Sequence, residues 1–229
     1  ATKILHLIEA IPARLGAVAN LERGEVSVGI IGTAGYVMPK VLASYQREHP
    51  GIHLDLMMGN RNNIWDAILE GNIDIGIMGT PPEVTNIQSE VIGTHRLIFV
   101  AHPNHPLCQL DRELTPKELI KHQLIAREVG SGTRLAMAAY FGALFHQATR
   151  PPIVLDTNEG IKQSILAGIG ISLLSDATCE LELNHGLLKT LPVEGTPLDR
   201  QWYAVRLANL ERNPAEQSLL RFLAMQAER

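Results

Sequence analysis

Between Glu25 and Ile77 short apolar runs alternate with helical stretches, and no other feature limits the possible folds as strongly. Residues 26–31 read as a strand, and Met38, Val41, Leu42 and Tyr45 recur at helical spacing. Ile52, Leu54 and Leu56 alternate as a half-buried strand. Ile64, Trp65, Ile68 and Leu69 mark a helix closed by Gly71, and Ile73, Ile75 and Ile77 form a third strand. Strand, helix, strand, helix, strand predicts a parallel sheet with right-handed crossovers.

The alternation then starts again. An unbroken apolar run at 97–101 has no polar face, as expected of a strand that passes between two lobes. Thr115, Pro116 and Glu118 make a capping box with proline at the first helical position. Strands are expected at 123–126, 153–155 and 171–174, and helices from about Gly132 to His146 and over 158–167. The chain ends on a strand at 202–207 and a helix opened by Asn213, Pro214 and Glu216, with Leu219, Leu220 and Leu223 on one face. Two α/β units with crossings near 97–101 and 198–202 predict two lobes, a hinge and a cleft.

At 229 residues the chain is long enough for both lobes to bury a core. Twenty basic residues against 24 acidic give a net charge of −4, so overall attraction to a polyanion is not expected. Cys108 and Cys179 lie far apart with no second thiol or histidine pair nearby and are read as small apolar residues. His102 and His105, flanked by prolines and lacking a third ligand, are read as loop residues. The opening residues show no signal peptide, and no apolar stretch is long enough to span a bilayer, which points to the cytoplasm and away from membranes. Ile4, Ile8, Ile11, Leu15 and Val18 form a helical seam that Pro12 should kink, read as the end of a longer helix.

In open α/β sheets ligands sit beyond the carboxyl ends of the strands, where helix N-termini offer free N–H groups. The loops expected there carry Thr33, Ala34 and Gly35; Asn60, Arg61 and Asn62; Gly79 and Thr80. In the second unit they carry Gly130, Ser131, Gly132, Thr133 and Arg134, then Thr157 and Asn158. Small, hydroxyl and amide residues with two arginines suit a carboxylate or phosphate. The Gly130–Thr133 stretch lacks the lysine of a Walker loop, and Gly168 with Gly170 does not complete a dinucleotide fingerprint. No nucleophile elbow or His-Glu-x-x-His helix occurs, and Glu159 is the one acid-base group in these loops, so an enzyme is not expected.

These residues together resemble the effector-binding half of LysR-type transcriptional regulators. The resemblance rests on the N-terminal seam, the strand from Val26, the Thr33 loop and the 97–101 run followed by His105, Pro106 and Leu107. The loop at 129–134 and the AGIGISLL segment at 167–174 complete it. Residues 158–164 (NEGIKQS) and 195–202 (GTPLDRQW) look most like the RuBisCO-operon branch of that family.

The resemblance implies an α/β fold of two Rossmann-like subdomains of the type II periplasmic-binding-protein kind, joined by two crossing strands and preceded by the end of a linker helix. By position, 1–24 would be linker helix, 25–97 with 203–229 subdomain I, and 98–202 subdomain II, with the DNA-binding winged helix-turn-helix absent. It further implies a homodimer or homotetramer that meets DNA only through that missing N-terminal domain. The fifteen loop residues named above would hold a small anionic effector in the cleft. A phosphorylated sugar or a reduced nicotinamide nucleotide is the expected class, with no resident cofactor and no metal. A periplasmic solute-binding protein of a transporter is the alternative, distinguished by having no use for a self-associating N-terminal seam.

Overall fold

The computed structural model describes residues 23–208 and 213–227; the seam expected over Ile4 to Val18 and the linker helix of 1–24, save its last two residues, lie outside them. Among the described residues the chain forms two compact units. One comprises the segment up to Gly59, then Asn63–Gly93, and the chain from Trp202 on; the other comprises Asn60–Asn62 and Thr94–Gln201.

In the first unit β1 (Gly24–Ile31) is the central strand. It pairs in parallel with β2 (Ile52–Gly59) and β3 (Ile75–Met78), while β9 (Leu198–Leu207) runs antiparallel to β3. The sheet is therefore mixed, which corrects the all-parallel expectation. A returning strand that enters from the opposite end can only pair antiparallel. Helix α1 (Met38–Glu48) buries Met38, Leu42 and Tyr45, and α2 (Arg61–Leu69) buries Ile64, Ala67 and Ile68 against Ile73, Met78 and Val205. Strand β3 begins at Ile75, two residues after the expected start. Asp74 accepts the Ser27 N–H at 2.8 Å through its carboxylate and donates its own N–H to the Ser27 carbonyl at 2.9 Å.

Strand β2 is more exposed than its alternation suggested: Leu56, Met57 and Met58 are all solvent-facing. The last helix, α7 (Pro214–Ala227), starts where Asn213 accepts the Glu216 N–H at 2.7 Å, and the Tyr45 hydroxyl donates to the Ala215 carbonyl at 3.3 Å.

The second unit is built on β4 (Ile87–Ala101), whose C-terminal half pairs antiparallel with β7 (Ser172–Ser175) and β8 (Lys189–Thr190). Leu97, Phe99 and Ala101 enter one apolar cluster with Leu119, Met137 and Phe141, while Ile98 and Val100 enter another with Ile161, Ile165 and Cys179. Burial on both faces is why this run is apolar at every position.

Five further elements lie in this unit: α3 (Pro116–Leu119), β5 (Ile125–Arg127), α4 (Gly132–Phe141), β6 (Ile153–Leu155) and α5 (Asn158–Leu166). Helix α4 stops five residues before the expected His146, because Gly142 takes φ +52°, and the chain continues as a 3-10 turn. Helix α6 (Asp176–Asn184) and β8 were not anticipated from the sequence. Among the described residues no helix is long and apolar enough to cross a membrane.

Strands β5 and β7 meet through a bridge from Leu124 to Ile171, with the Ile171 N–H donating to the Gln123 carbonyl at 3.0 Å. Any Cβ at Gly170 would collide with that carbonyl oxygen, a backbone atom with nowhere to go. Gly170→Ala is expected to cost about 2 kcal/mol, read as a lower urea midpoint with an unchanged slope.

Burial pushes His95 down to about 4 from its ordinary 6.5, with Arg200 adding to the shift and the Asp176 carboxylate opposing it; its Nδ1 lies 3.1 Å from the Ser175 hydroxyl. The unfolded chain then binds the proton more readily. Stability is full above the ordinary histidine value and drains as pH falls from 6.5 toward 4. Chemical denaturation at pH 7.5 and 4.5 should show the wild type losing on the order of 2 kcal/mol more than His95→Gln.

Candidate functional site

In the second unit β5 and β6 pair in parallel with Arg127 opposite Leu155, so the loops that follow them open on one edge. After β5 the chain turns through Glu128, Val129, Gly130 and Ser131, with the Ser131 N–H donating to the Glu128 carbonyl at 3.3 Å, and α4 begins. After β6, Thr157 caps α5 by accepting the Gly160 N–H at 3.0 Å.

Arg127, only 6% exposed, joins the two loops. Its Nε and Nη2 donate to the two carboxylate oxygens of Glu128 at 2.7 and 3.0 Å, its Nη1 to Asn158 Oδ1 at 2.6 Å, and its Nη2 also to the Asp156 carbonyl at 3.0 Å. The bidentate carboxylate neutralises this guanidinium where it sits. Arg134 donates from Nη1 to the Arg127 carbonyl at 2.9 Å and has no carboxylate partner among the described residues.

The donors left over are numerous. Ser131 and Thr133 are 4% and 7% exposed, yet their hydroxyls make no hydrogen bond among the described residues. The N–H groups of Gly132, Thr133 and Arg134 lie in the first turn of α4 and have no intrahelical partner. Asn158 Nδ2 is likewise unpartnered among the described residues. None of these side-chain atoms is among the polar atoms sealed from solvent, so they are open to a ligand. Hydroxyls, amides and one uncompensated cation at a helix N-terminus form an environment for an anion.

In the first unit the register sets Ile31 opposite Gly59 and Ile30 opposite Ile77, so the strands end together. Thr33, buried and with no hydrogen bond to its hydroxyl among the described residues, leads into the 3-10 turn Ala34–Tyr36, which contains Gly35. Gly79 and an exposed Thr80 follow β3. Asn60, Arg61 and Asn62 follow β2 and are grouped with the second unit. Asn60, Arg61 and Thr80 already have partners, whereas Asn62 is exposed.

Sequence reasoning missed Arg127 and Glu128, since the expected strand stopped at residue 126. The available signal was an arginine beside a glutamate at a strand end, directly before a Gly/Ser loop. Cys108 and Cys179 are free buried thiols in the core clusters, and burial pushes Cys179 up to about 12. His102 and His105 serve as local acceptors, taking the Asn104 N–H at 3.1 Å and the Leu107 N–H at 3.3 Å. Among the described residues no cluster of three His, Cys, Asp or Glu could hold a metal ion.

This fold is that of a transcriptional regulator's effector-binding domain. The chain belongs to the LysR substrate-binding domain family, whose profile matches residues 19–228. It is 39% identical over 223 residues to the transcriptional regulator CbbR of Xanthobacter flavus, covering 96% of this chain and 66% of that protein. It is 34% identical over 223 residues to the RuBisCO operon transcriptional regulator of Acidithiobacillus ferrooxidans, covering 96% and 71%. The chain thus spans about two thirds of the length of these relatives. Among solved structures it resembles the CcmR regulatory domain of Synechocystis PCC6803 in complex with 2-PG, with a TM-score of 0.79, 31% identity, and coverage of 89% of this chain and 97% of that one. The fold is the type II periplasmic-binding-like fold of LysR regulatory domains.

The same unit holds a second buried cation. Lys162 on α5 donates to Glu182 on α6 at 2.7 Å and lies 3.0 Å from the exposed Glu159 carboxylate. It holds α5 to α6 and, being neutralised, leaves no charge for a ligand. Glu182→Ala is expected to destabilise the protein by about 3 kcal/mol because it takes the buried carboxylate away from a buried ammonium, whereas the double change Lys162→Met with Glu182→Leu should recover most of that loss in urea unfolding.

Proposed function

We propose that this chain is the effector-sensing and self-associating part of a cytoplasmic LysR-type regulator of RuBisCO (CO2-fixation) genes. A small phosphorylated or carboxylated metabolite is its effector. The observation that carries this reading is the donor set of the second unit: the Ser131 and Thr133 hydroxyls and the first-turn amides of α4, which have no partner among the described residues, beside Arg134, which has no carboxylate partner among them. The similarity to RuBisCO-operon regulators, and to a regulatory domain complexed with 2-PG, supports the choice of effector class.

The other strand-end residues of the second unit, Asn60 to Asn62, Gly130, Thr157 and Asn158, are assigned to the same effector. It is held and released unchanged, with no resident cofactor. Its different affinity for two arrangements of the domain shifts their populations, and a coupling of about 1 to 3 kcal/mol changes promoter occupancy severalfold. The active species is a homodimer or homotetramer whose DNA contacts are made by sequence outside the two units.

Calorimetric titration with 2-PG, a phosphorylated sugar and a reduced nicotinamide nucleotide tests the reading. At least one should bind, and Thr133→Ala and Arg134→Ala should each weaken it about tenfold with unchanged thermal unfolding. Unaltered affinity in both variants would overturn the site assignment.

A further inference from the structure

Arg127 was not foreseen as a site residue, and its geometry settles an ambiguity in Asn158. A guanidinium has donors only, so the Asn158 atom 2.6 Å from Arg127 Nη1 must be the carbonyl oxygen, whichever way the amide could otherwise be drawn. The amide's other end then carries two N–H donors. Asn158 is 5% exposed, its Nδ2 has no partner among the described residues, and it is not sealed from solvent. It shares the β5–β6 edge with Ser131, Thr133 and the start of α4.

Rotating the amide would set N–H against N–H at Arg127 and replace two donors at the site by a carbonyl oxygen. Glu128 meanwhile holds the Arg127 side chain at both Nε and Nη2, so the arginine stays on the Asn158 oxygen and does not swing out to the ligand.

We propose that Arg127 is a positioning residue that, braced by Glu128, locks the Asn158 carboxamide with its N–H groups toward the ligand, so that the second unit selects an effector group rich in acceptors, a carboxylate or phosphate. The inference rests on the sensing role proposed above and adds a residue and a polarity to it. Asn158 touches the effector; Arg127 acts through Asn158.

A double-mutant cycle on the whole chain, with 2-PG as probe in calorimetry, tests it. Arg127→Gln should weaken binding about tenfold in the wild type and have no further effect in Asn158→Ala, because its influence passes through the amide. An equal loss in both backgrounds overturns the proposal. Should Arg127→Gln not fold, Arg127→Lys takes its place in the cycle, keeping the charge without the fork.

Asn158→Asp supplies a second measurement. It keeps an oxygen facing Arg127 but replaces the donors by an anionic oxygen, so binding should fall at least a hundredfold while the thermal midpoint holds or rises. Retained binding in Asn158→Asp overturns the proposal.

The same four chains of the cycle, unfolded thermally without probe, decide the clamp itself: non-additive losses support it and additive losses overturn it. Failure of wild type to take up 2-PG, a phosphorylated sugar or a reduced nicotinamide nucleotide overturns the sensing reading and the ligand half of this inference. Additive unfolding with normal uptake overturns the clamp alone.

Discussion

Parallel pairing is the constraint from which the rest of this structure follows. Because β2 and β3 flank β1 in one unit and β6 flanks β5 in the other, all in parallel, successive strands in each unit end on the same edge. Each crossover must then climb back over the sheet as a helix, and each helix begins at that edge with first-turn amides that have no intrahelical partner. A row of donors at the carboxyl ends is a by-product of the topology. The side chains placed there decide what the row can hold.

In the second unit those side chains are arranged so that buried charge is compensated and buried hydrogen-bonding capacity is not. Arg127 is met by Glu128, and Lys162 by Glu182, each pair drawn from residues that are mostly shielded from water. An unpaired ion at such depth would cost several kcal/mol, so the neutralisation is close to obligatory. Hydroxyl and amide donors cost far less when left to water. Among the described residues the Ser131 and Thr133 hydroxyls and the Asn158 Nδ2 are therefore kept unpartnered, with Arg134 as the uncompensated cation beside them. Neutral donors recognise an anion by geometry rather than by bulk attraction, consistent with a chain whose own net charge is −4.

Strand β4 supplies the rigidity that such geometry needs. With Leu97, Phe99 and Ala101 in one cluster and Ile98 and Val100 in another, the C-terminal half of the strand is packed on both faces. Helix α4 belongs to the first of these clusters and α5 to the second, so the two helix N-termini that carry the donors are anchored on a common strand. Their relative positions are set by core packing and by the Arg127 hydrogen bonds together.

Much of this architecture was legible in the residue pattern, because periodicity and capping are local. Apolar residues two apart or three to four apart marked most strands and helices, and the Asn213, Pro214, Glu216 opening located the last helix. The all-parallel sheet, the length of α4 and the existence of α6 were not. Strand direction depends on where the chain re-enters, α4 ends on the left-handed Gly142, and the 176–184 segment lacks a clean apolar stripe, its buried positions being Thr178, Cys179 and Glu182. The site divides in the same way. The amino-acid order alone determined that Thr33, Ser131, Thr133, Arg134 and Asn158 stand at strand ends, since a turn and a cap are written in adjacent residues. That Asn158 presents donors, and that Lys162 is already neutralised by Glu182, was decided only by tertiary structure. Those facts depend on which atoms from distant segments come within 3 Å, and no local pattern encodes them.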